Sequence, residues 1–176
     1  MIMDREHARF NMVESQIRTW EVLDQAILDL LFVVKREEFV PERYRALAFA
    51  DIEIPIGHGE VMLTPKVEAR MLQEVGIRKT DKILEVGTGR GYLTALAASL
   101  GGQVVSVERI PEFSPSAARK LAGHGIDNVQ LVVGDAAEGY PTQAPYDVIL
   151  LTGSVPVLPE AFRTQLAVGG RLLAVV

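Results

Sequence analysis

The sequence predicts a doubly wound, mainly parallel, Rossmann-like α/β sheet with an N-terminal helical segment. Five short runs rich in Val, Ile and Leu, "KILEV", "QVVSVE", "NVQLVVGD", "YDVILLTG" and "RLLAVV", follow one another from Lys82 onward, separated by helical or loop patterns. Runs of this kind are strands buried on both faces of a parallel sheet. The first run leads directly into a glycine-rich turn that opens a helix, "LEVGTGRGYLTA". Before Lys82 the apolar period is helical instead. The expected organisation is one compact domain, with a helical segment and loop over residues 1–78 and a sheet core over 79–176.

Taken in order, "MIMDREHARFNMVESQ" lacks the apolar stretch of a signal peptide. In "VLDQAILDLLFVVKREEF" the residues Ile27, Leu30, Leu31 and Val34 share one helical face, and Asp24 is placed to cap it. Pro41 breaks the pattern, and the stretch to Gly59 is expected to be loop with at most one short helix. Within "PIGHGEVMLTP", Val61, Met62 and Leu63 stand side by side where a surface loop is normally polar. Thr64 before Pro65 signals a helix start, with the hydroxyl as cap and the proline in the first turn. Val67, Met71 and Val75 continue that helix to Gly76. The βα units that follow place a ligand at the carboxyl ends of the strands, near the topological switch point.

Composition narrows the function. The chain has 176 residues, is 48% hydrophobic and carries a net charge of -5, which argues against a nucleic-acid or anionic-membrane surface. It contains no cysteine, so disulfides, thiolate nucleophiles and Cys-ligated metals are excluded. No apolar run approaches the length needed to cross a bilayer. A soluble cytoplasmic protein acting on small molecules or proteins is the plain reading. His7 and His124 have no evident partner, and no cluster has metal-ligand spacing, so no metal is expected.

Gly87, Gly89 and Gly91 are spaced G-x-G-x-G. A dinucleotide fingerprint wants its third glycine at position 92, and a phosphate loop wants a Gly-Lys-Ser/Thr ending that is absent. Glu108 ends the second strand, where a carboxylate can accept both hydroxyls of a ribose. Asp135 follows the third, beside small Ala136, where it can accept from an adenine amino group. Glu85, inside the first strand, can face the amino-acid end of a ligand or orient the glycine turn. A carboxylate there repels a pyrophosphate and attracts an ammonium. S-adenosylmethionine, with its ammonium, sulfonium, ribose and adenine, fits better than NAD or ATP, which makes the fold class a methyltransferase one.

At this point the chain resembles the protein-L-isoaspartate O-methyltransferases, through "REEFVPERYRALAFADIEIPIGHGE", "LEVGTGRGYLTA", "VERI", "NVQLVVGD", "APYDVILLTG" and "QLAVGGRLLAVV". The resemblance implies methylation of the free carboxylate of isoaspartyl residues in damaged proteins or peptides, using S-adenosylmethionine, releasing S-adenosylhomocysteine and needing no metal. It implies that Gly87, Gly89, Gly91, Glu108 and Asp135 hold the cofactor, and Glu85, Thr88, Arg109, Ala136 and Thr152 complete the candidate cofactor residues. It further implies that the loop from Ile56 to Pro65 covers the methyl group and the substrate carboxylate, with Ile56, Gly57, His58 and Val61 on the substrate side. His58 is read as structural or solvated in preference to a substrate ligand.

The chain departs from the family pattern in that loop. Where the pattern reads Thr-Ile-Ser-x-Pro, this chain has Val61-Met62-Leu63-Thr64-Pro65, so the family's hydroxyl is lost at Leu63. Thr64 is read first as a helix cap. With Ser154 and the amides of the Pro65 helix, it is also a candidate replacement donor. The acceptor carboxylate, with a reference pKa of roughly 4, is already ionised and needs no general base, so weakened or redirected activity is expected. The sequence ends at Val176 in an apolar strand, where this class usually continues into a further helix and a hairpin that complete the sheet; the C-terminal strands are therefore expected to be missing. The state expected is monomer or homodimer. Two alternatives remain, a cofactor-binding relative with weakened catalysis and a nucleic-acid methyltransferase. The latter commonly needs an Asn/Asp-Pro-Pro-aromatic turn where this chain has "LTGSVP".

Overall fold

The computed structural model describes residues 4–175, so the first three residues and Val176, the last of "RLLAVV", lie outside the described residues. The chain divides into two compact units, Met1–Glu74 and Val75–Val176, a division that falls inside a helix that ends before the boundary expected at 78/79.

In the first unit, Asp4 caps α1 (Arg5–Asn11) by accepting from the N–H groups of Glu6 and His7. A π turn (Met12–Ile17) and a short 3₁₀ turn (Arg18–Trp20) continue it. Asp24 caps α2 (Gln25–Val33) as expected, its carboxylate accepting from the Ala26 N–H at 2.9 Å. Ile27, Leu31 and Val34 are buried, while Leu30 is half-buried. Beyond Pro41 there is one 3₁₀ helix (Glu42–Leu47), followed by a feature the loop expectation missed. β1 (Ile54–Gly57) and β2 (Glu60–Met62) form an antiparallel hairpin. Each strand is too short to show a period, and a proline within β1 argued against one.

The hairpin accounts for the apolar run. Val61 is exposed, Met62 buried and Leu63 half-buried, as strand alternation requires. At its tip Gly57, His58 and Gly59 all take positive φ, at 105°, 55° and 76°, a turn that glycines adopt without strain and histidine tolerates better than most residues. α3 (Pro65–Val75) then runs to Gly76, whose φ of 58° suits a helix terminus. Its start corrects one expectation. The Thr64 carbonyl accepts from the Glu68 N–H at 3.2 Å, but the Thr64 hydroxyl is enclosed and makes no hydrogen bond. Pro65 brings no N–H to the first turn, so the cap has less to satisfy there.

Buried ion pairs tie this unit together. Arg9 pairs with Glu37 at 2.5 Å and lies over the Phe49 ring. Arg36, 1% exposed, pairs with Glu68 at 2.5 Å and also donates to the carbonyls of Ala48 at 3.0 Å and Leu63 at 2.8 Å. One guanidinium thus fastens three separate segments. Burial pushes the Glu68 carboxyl above its ordinary value, against the opposing pull of Arg36. A carboxyl raised on folding binds protons more tightly in the folded state, so its contribution to stability is complete below the ordinary value and is lost as pH rises through the raised one. Glu68→Gln removes that loss. Its stability relative to the parent chain should therefore rise with pH from below 4.5 upward, as read by chemical denaturation at a series of pH values; a constant difference would count against a titrating Glu68.

The second unit holds the sheet. Its strands are β3 (Lys82–Val86), β4 (Gln103–Glu108), β5 (Val129–Val133), β6 (Tyr146–Leu151) and β7 (Leu166–Ala174), all parallel, in the order β5-β4-β3-β6-β7. Helices α4 (Tyr92–Leu100), α5 (Phe113–Gly123) and α6 (Glu160–Thr164) form its connections. Leu84, Val105, Val107, Tyr146, Ile149, Leu151 and Phe162 pack into one buried cluster. The expectation of strands buried on both faces holds for β3, β4 and β6 but not for the edges. β5 and β7 are only partly buried, and Val133 is 50% exposed, because an edge strand has a neighbour on one side alone.

Candidate functional site

The chain runs outward from β3 through β4 to β5, then returns to β6 on the other side of β3. That reversal is the topological switch point, and the segments leaving β3 and β6 meet there. After β3 come Gly87, Gly89 and Gly91, with φ of 104°, 53° and 88°. A Cβ on Gly87 would lie 2.5 Å from Thr152 Oγ1, and one on Gly91 3.3 Å from the Ala117 Cβ. Gly87 is therefore required by space as well as by conformation, and Gly91 by conformation with little space to spare. Thr152, just after β6, shares its one hydroxyl hydrogen between the carbonyls of Val86 at 2.9 Å and Gly87 at 3.0 Å, which clamps the turn to the neighbouring strand.

Glu108 closes β4 and is 6% exposed. Its Oε2 accepts from the Gly89 N–H at 2.8 Å and its Oε1 from the Ile110 N–H at 2.9 Å. A carboxylate has about four lone-pair sites, so acceptor capacity remains for a ligand. Arg109 beside it is exposed. Asp135 lies past the end of β5, exposed, with Oδ1 accepting from the Ala137 N–H at 2.9 Å, and Ala136 is buried beside it. Arg90, in the turn, is half-buried, and desolvation pulls its guanidinium below the usual range.

Of the two roles open to Glu85, the structure favours orienting the turn. Its side chain is wholly buried, and Oε1 accepts from the hydroxyls of Thr94, in α4, and Ser106, in β4. Ser106 is also 2.5 Å from the Thr88 hydroxyl of the turn. Sequence reading missed Ser106 and Thr94. The available signal was a serine between valines in "QVVSVE", a polar residue inside a run otherwise buried for its apolarity.

The structure thus brings Glu85, the glycine turn with Thr88, Glu108 and Thr152 together in the second unit. Ser154 is exposed in the loop after β6. Ile56, Gly57, His58, Val61, Leu63 and Thr64 belong to the hairpin region of the first unit, with His58 exposed at its tip. His124, expected to lack a partner, has its Nδ1 2.7 Å from the Lys120 carbonyl. Among the described residues no group of three or more His, Asp or Glu is arranged to hold a metal, and no helix is long and apolar enough to cross a membrane.

Residues 7–176 match the family model described as protein-L-isoaspartate(D-aspartate) O-methyltransferase. The chain is 42% identical over 166 residues to the protein-L-isoaspartate O-methyltransferase of Methanoculleus marisnigri, covering 94% of this chain and 76% of that one. It is 42% identical to the protein-L-isoaspartate O-methyltransferase 1 of Rhodopseudomonas palustris, covering 94% and 67%. A solved protein-L-isoaspartate O-methyltransferase aligns with a TM-score of 0.79 at 32% identity, over 94% of this chain and 54% of that structure. A putative protein-L-isoaspartate O-methyltransferase from Plasmodium falciparum, solved with S-adenosyl-L-homocysteine, shares the fold with a TM-score of 0.79 at 19% identity, covering 96% and 82%.

Proposed function

Because the chain belongs to the protein-L-isoaspartate(D-aspartate) O-methyltransferase family, we propose that it transfers the methyl group of S-adenosylmethionine to the free carboxylate of L-isoaspartyl residues in damaged proteins or peptides. The observation that carries the cofactor half is the Glu108 carboxylate. Two main-chain N–H groups hold it at the carboxyl end of β4, and it keeps lone pairs for the two hydroxyls of a ribose. The donor set fits the cofactor. Gly87, Gly89 and Gly91 keep side chains off a turn of positive φ beside Glu108, and Asp135 stands exposed past β5 as a further acceptor.

When bound, S-adenosylmethionine supplies a methyl group on a positively charged sulfur. The carboxylate oxygen forms the new bond to carbon, the carbon–sulfur bond breaks, and a methyl ester and S-adenosylhomocysteine result. The acceptor is ionised at neutral pH, so the residues of this chain need to align and desolvate it and need not take its proton. In the family pattern a hydroxyl helps to hold that carboxylate, and here its position is Leu63. Of the replacement candidates, the Thr64 hydroxyl is enclosed, while Ser154 is exposed after β6.

The test is transfer of a labelled methyl group to an isoaspartyl peptide, with the matching aspartyl peptide as control and Leu63→Ser alongside. Arg36 holds position 63 by its carbonyl, so the substitution changes the side chain without releasing the main chain. Transfer confined to the isoaspartyl peptide is expected. Leu63→Ser should raise kcat/KM by about tenfold, the equivalent of one charge-assisted hydrogen bond. Cofactor binding with no transfer from either protein would overturn the assignment and make the chain a cofactor-binding relative that has lost catalysis.

A further inference from the structure

We propose that Ser106 is a positioning residue for the glycine turn, the middle member of a one-way hydrogen-bond chain running from Thr88 to Glu85. The inference rests on the reading of the second unit as the S-adenosylmethionine site. Ser106 sits at the β4 position paired with Glu85 of β3, and both side chains are wholly buried. Its hydroxyl donates to Glu85 Oε1 at 2.6 Å. A serine has one hydroxyl hydrogen, and that one is committed. The 2.5 Å contact to the Thr88 hydroxyl must therefore run the other way, with Thr88 donating and Ser106 accepting.

The direction matters because Thr88 stands between Gly87 and Gly89, where the main chain has unusual freedom. With its proton drawn inward, the Thr88 hydroxyl has one orientation, and its residue is pinned to the sheet from below. Within the turn the Gly91 N–H donates to the Thr88 carbonyl at 2.9 Å, and three other ties run from it to the rest of the core. Gly87 N–H donates to the Val107 carbonyl at 2.9 Å, Gly89 N–H to Glu108, and Thr152 to the Gly87 carbonyl. Of the ties that leave the turn, the Ser106 one alone runs to a Thr88 atom. Removing it frees the middle of the turn while leaving its flanks held, and the loss falls on the cofactor.

In the full chain, Ser106→Ala should weaken binding of S-adenosylhomocysteine by roughly five- to tenfold, the scale of one buried hydrogen bond. The KM for an isoaspartyl peptide at saturating cofactor should stay within about twofold. Thr88→Val should match Ser106→Ala, Thr88→Ser should restore most of the affinity, and the double variant should be no worse than either single change. Amide hydrogen exchange on the ligand-free protein should quicken from Thr88 to Gly91 in Ser106→Ala. An unchanged affinity, losses that simply add, or a peptide KM that rises in step would each overturn the inference. Should Ser106→Ala fail to fold, the contrast between Thr88→Val and Thr88→Ser decides it by itself. A parent chain that binds no S-adenosylhomocysteine would sink the cofactor reading, while exchange would still report on the turn.

Discussion

Replacing Glu108 with alanine is expected to lower affinity for S-adenosylmethionine by roughly a hundredfold or more, since two hydrogen bonds to a charged acceptor are lost together at about 1.5 to 3 kcal/mol each. The same change releases the Gly89 N–H, which Glu108 holds at 2.8 Å, so the turn loses an anchor as well. Glu108→Gln keeps one carbonyl acceptor and turns the other oxygen into a donor. It should fall between the two. Calorimetric titration with S-adenosylhomocysteine reads both variants directly, and an alanine variant of unchanged affinity would remove the ribose assignment. The unfolding temperature of the alanine variant in the absence of ligand should also fall, by several degrees, because the N–H groups of Gly89 and Ile110 lose their acceptor.

The second large effect belongs to stability. Arg36→Met should destabilise the chain by about 3 to 5 kcal/mol, because it leaves the Glu68 carboxylate buried without its cation. For a chain of this size the melting temperature would fall on the order of 10 °C. The carbonyls of Ala48 and Leu63 lose their donor at the same time. Arg36→Met combined with Glu68→Met should recover much of the loss, since the penalty lies in the unpaired charge more than in the missing attraction. If the double variant is less stable than the single one, the three anchored segments depend on the guanidinium itself.

Much of this was legible in the sequence because some features are local. Asp24 before an apolar period, Gly76 after one, and five apolar runs set between turn signals each need only their neighbours to be recognised, and all appear in the structure. The glycine turn with Glu108 was legible because its order along the chain reproduces its order in space. The hairpin of β1 and β2 was not, since strands of four and three residues show too little alternation to establish a period. Buried charge was harder still. Glu68 lies on the face of α3 that carries Met71 and Val75, so a carboxylate on an apolar stripe was the available hint. Its partner Arg36 stands 32 residues away. Likewise Ser106 looked like a break in an apolar strand until β3 supplied Glu85 opposite it. The Thr64 hydroxyl reversed a rule that holds for most helix starts, for only packing decides which way such a group turns.

The clamp from Thr152 carries a consequence for the order in which the protein is made. Synthesis delivers the glycine turn, Glu85, Ser106 and Glu108 within a short interval, whereas the residue that secures the Gly87 carbonyl lies 65 positions further on. Non-local closure of that length is slow, because the chain entropy must be lost before any contact repays it. A nascent chain that has laid down β3, β4 and β5 holds the turn through the N–H groups of Gly87 and Gly89 and the Thr88 hydroxyl, but lacks the hydroxyl that secures the Gly87 carbonyl. The clamp on Gly87 thus arrives only with β6, one strand before β7 completes the sheet.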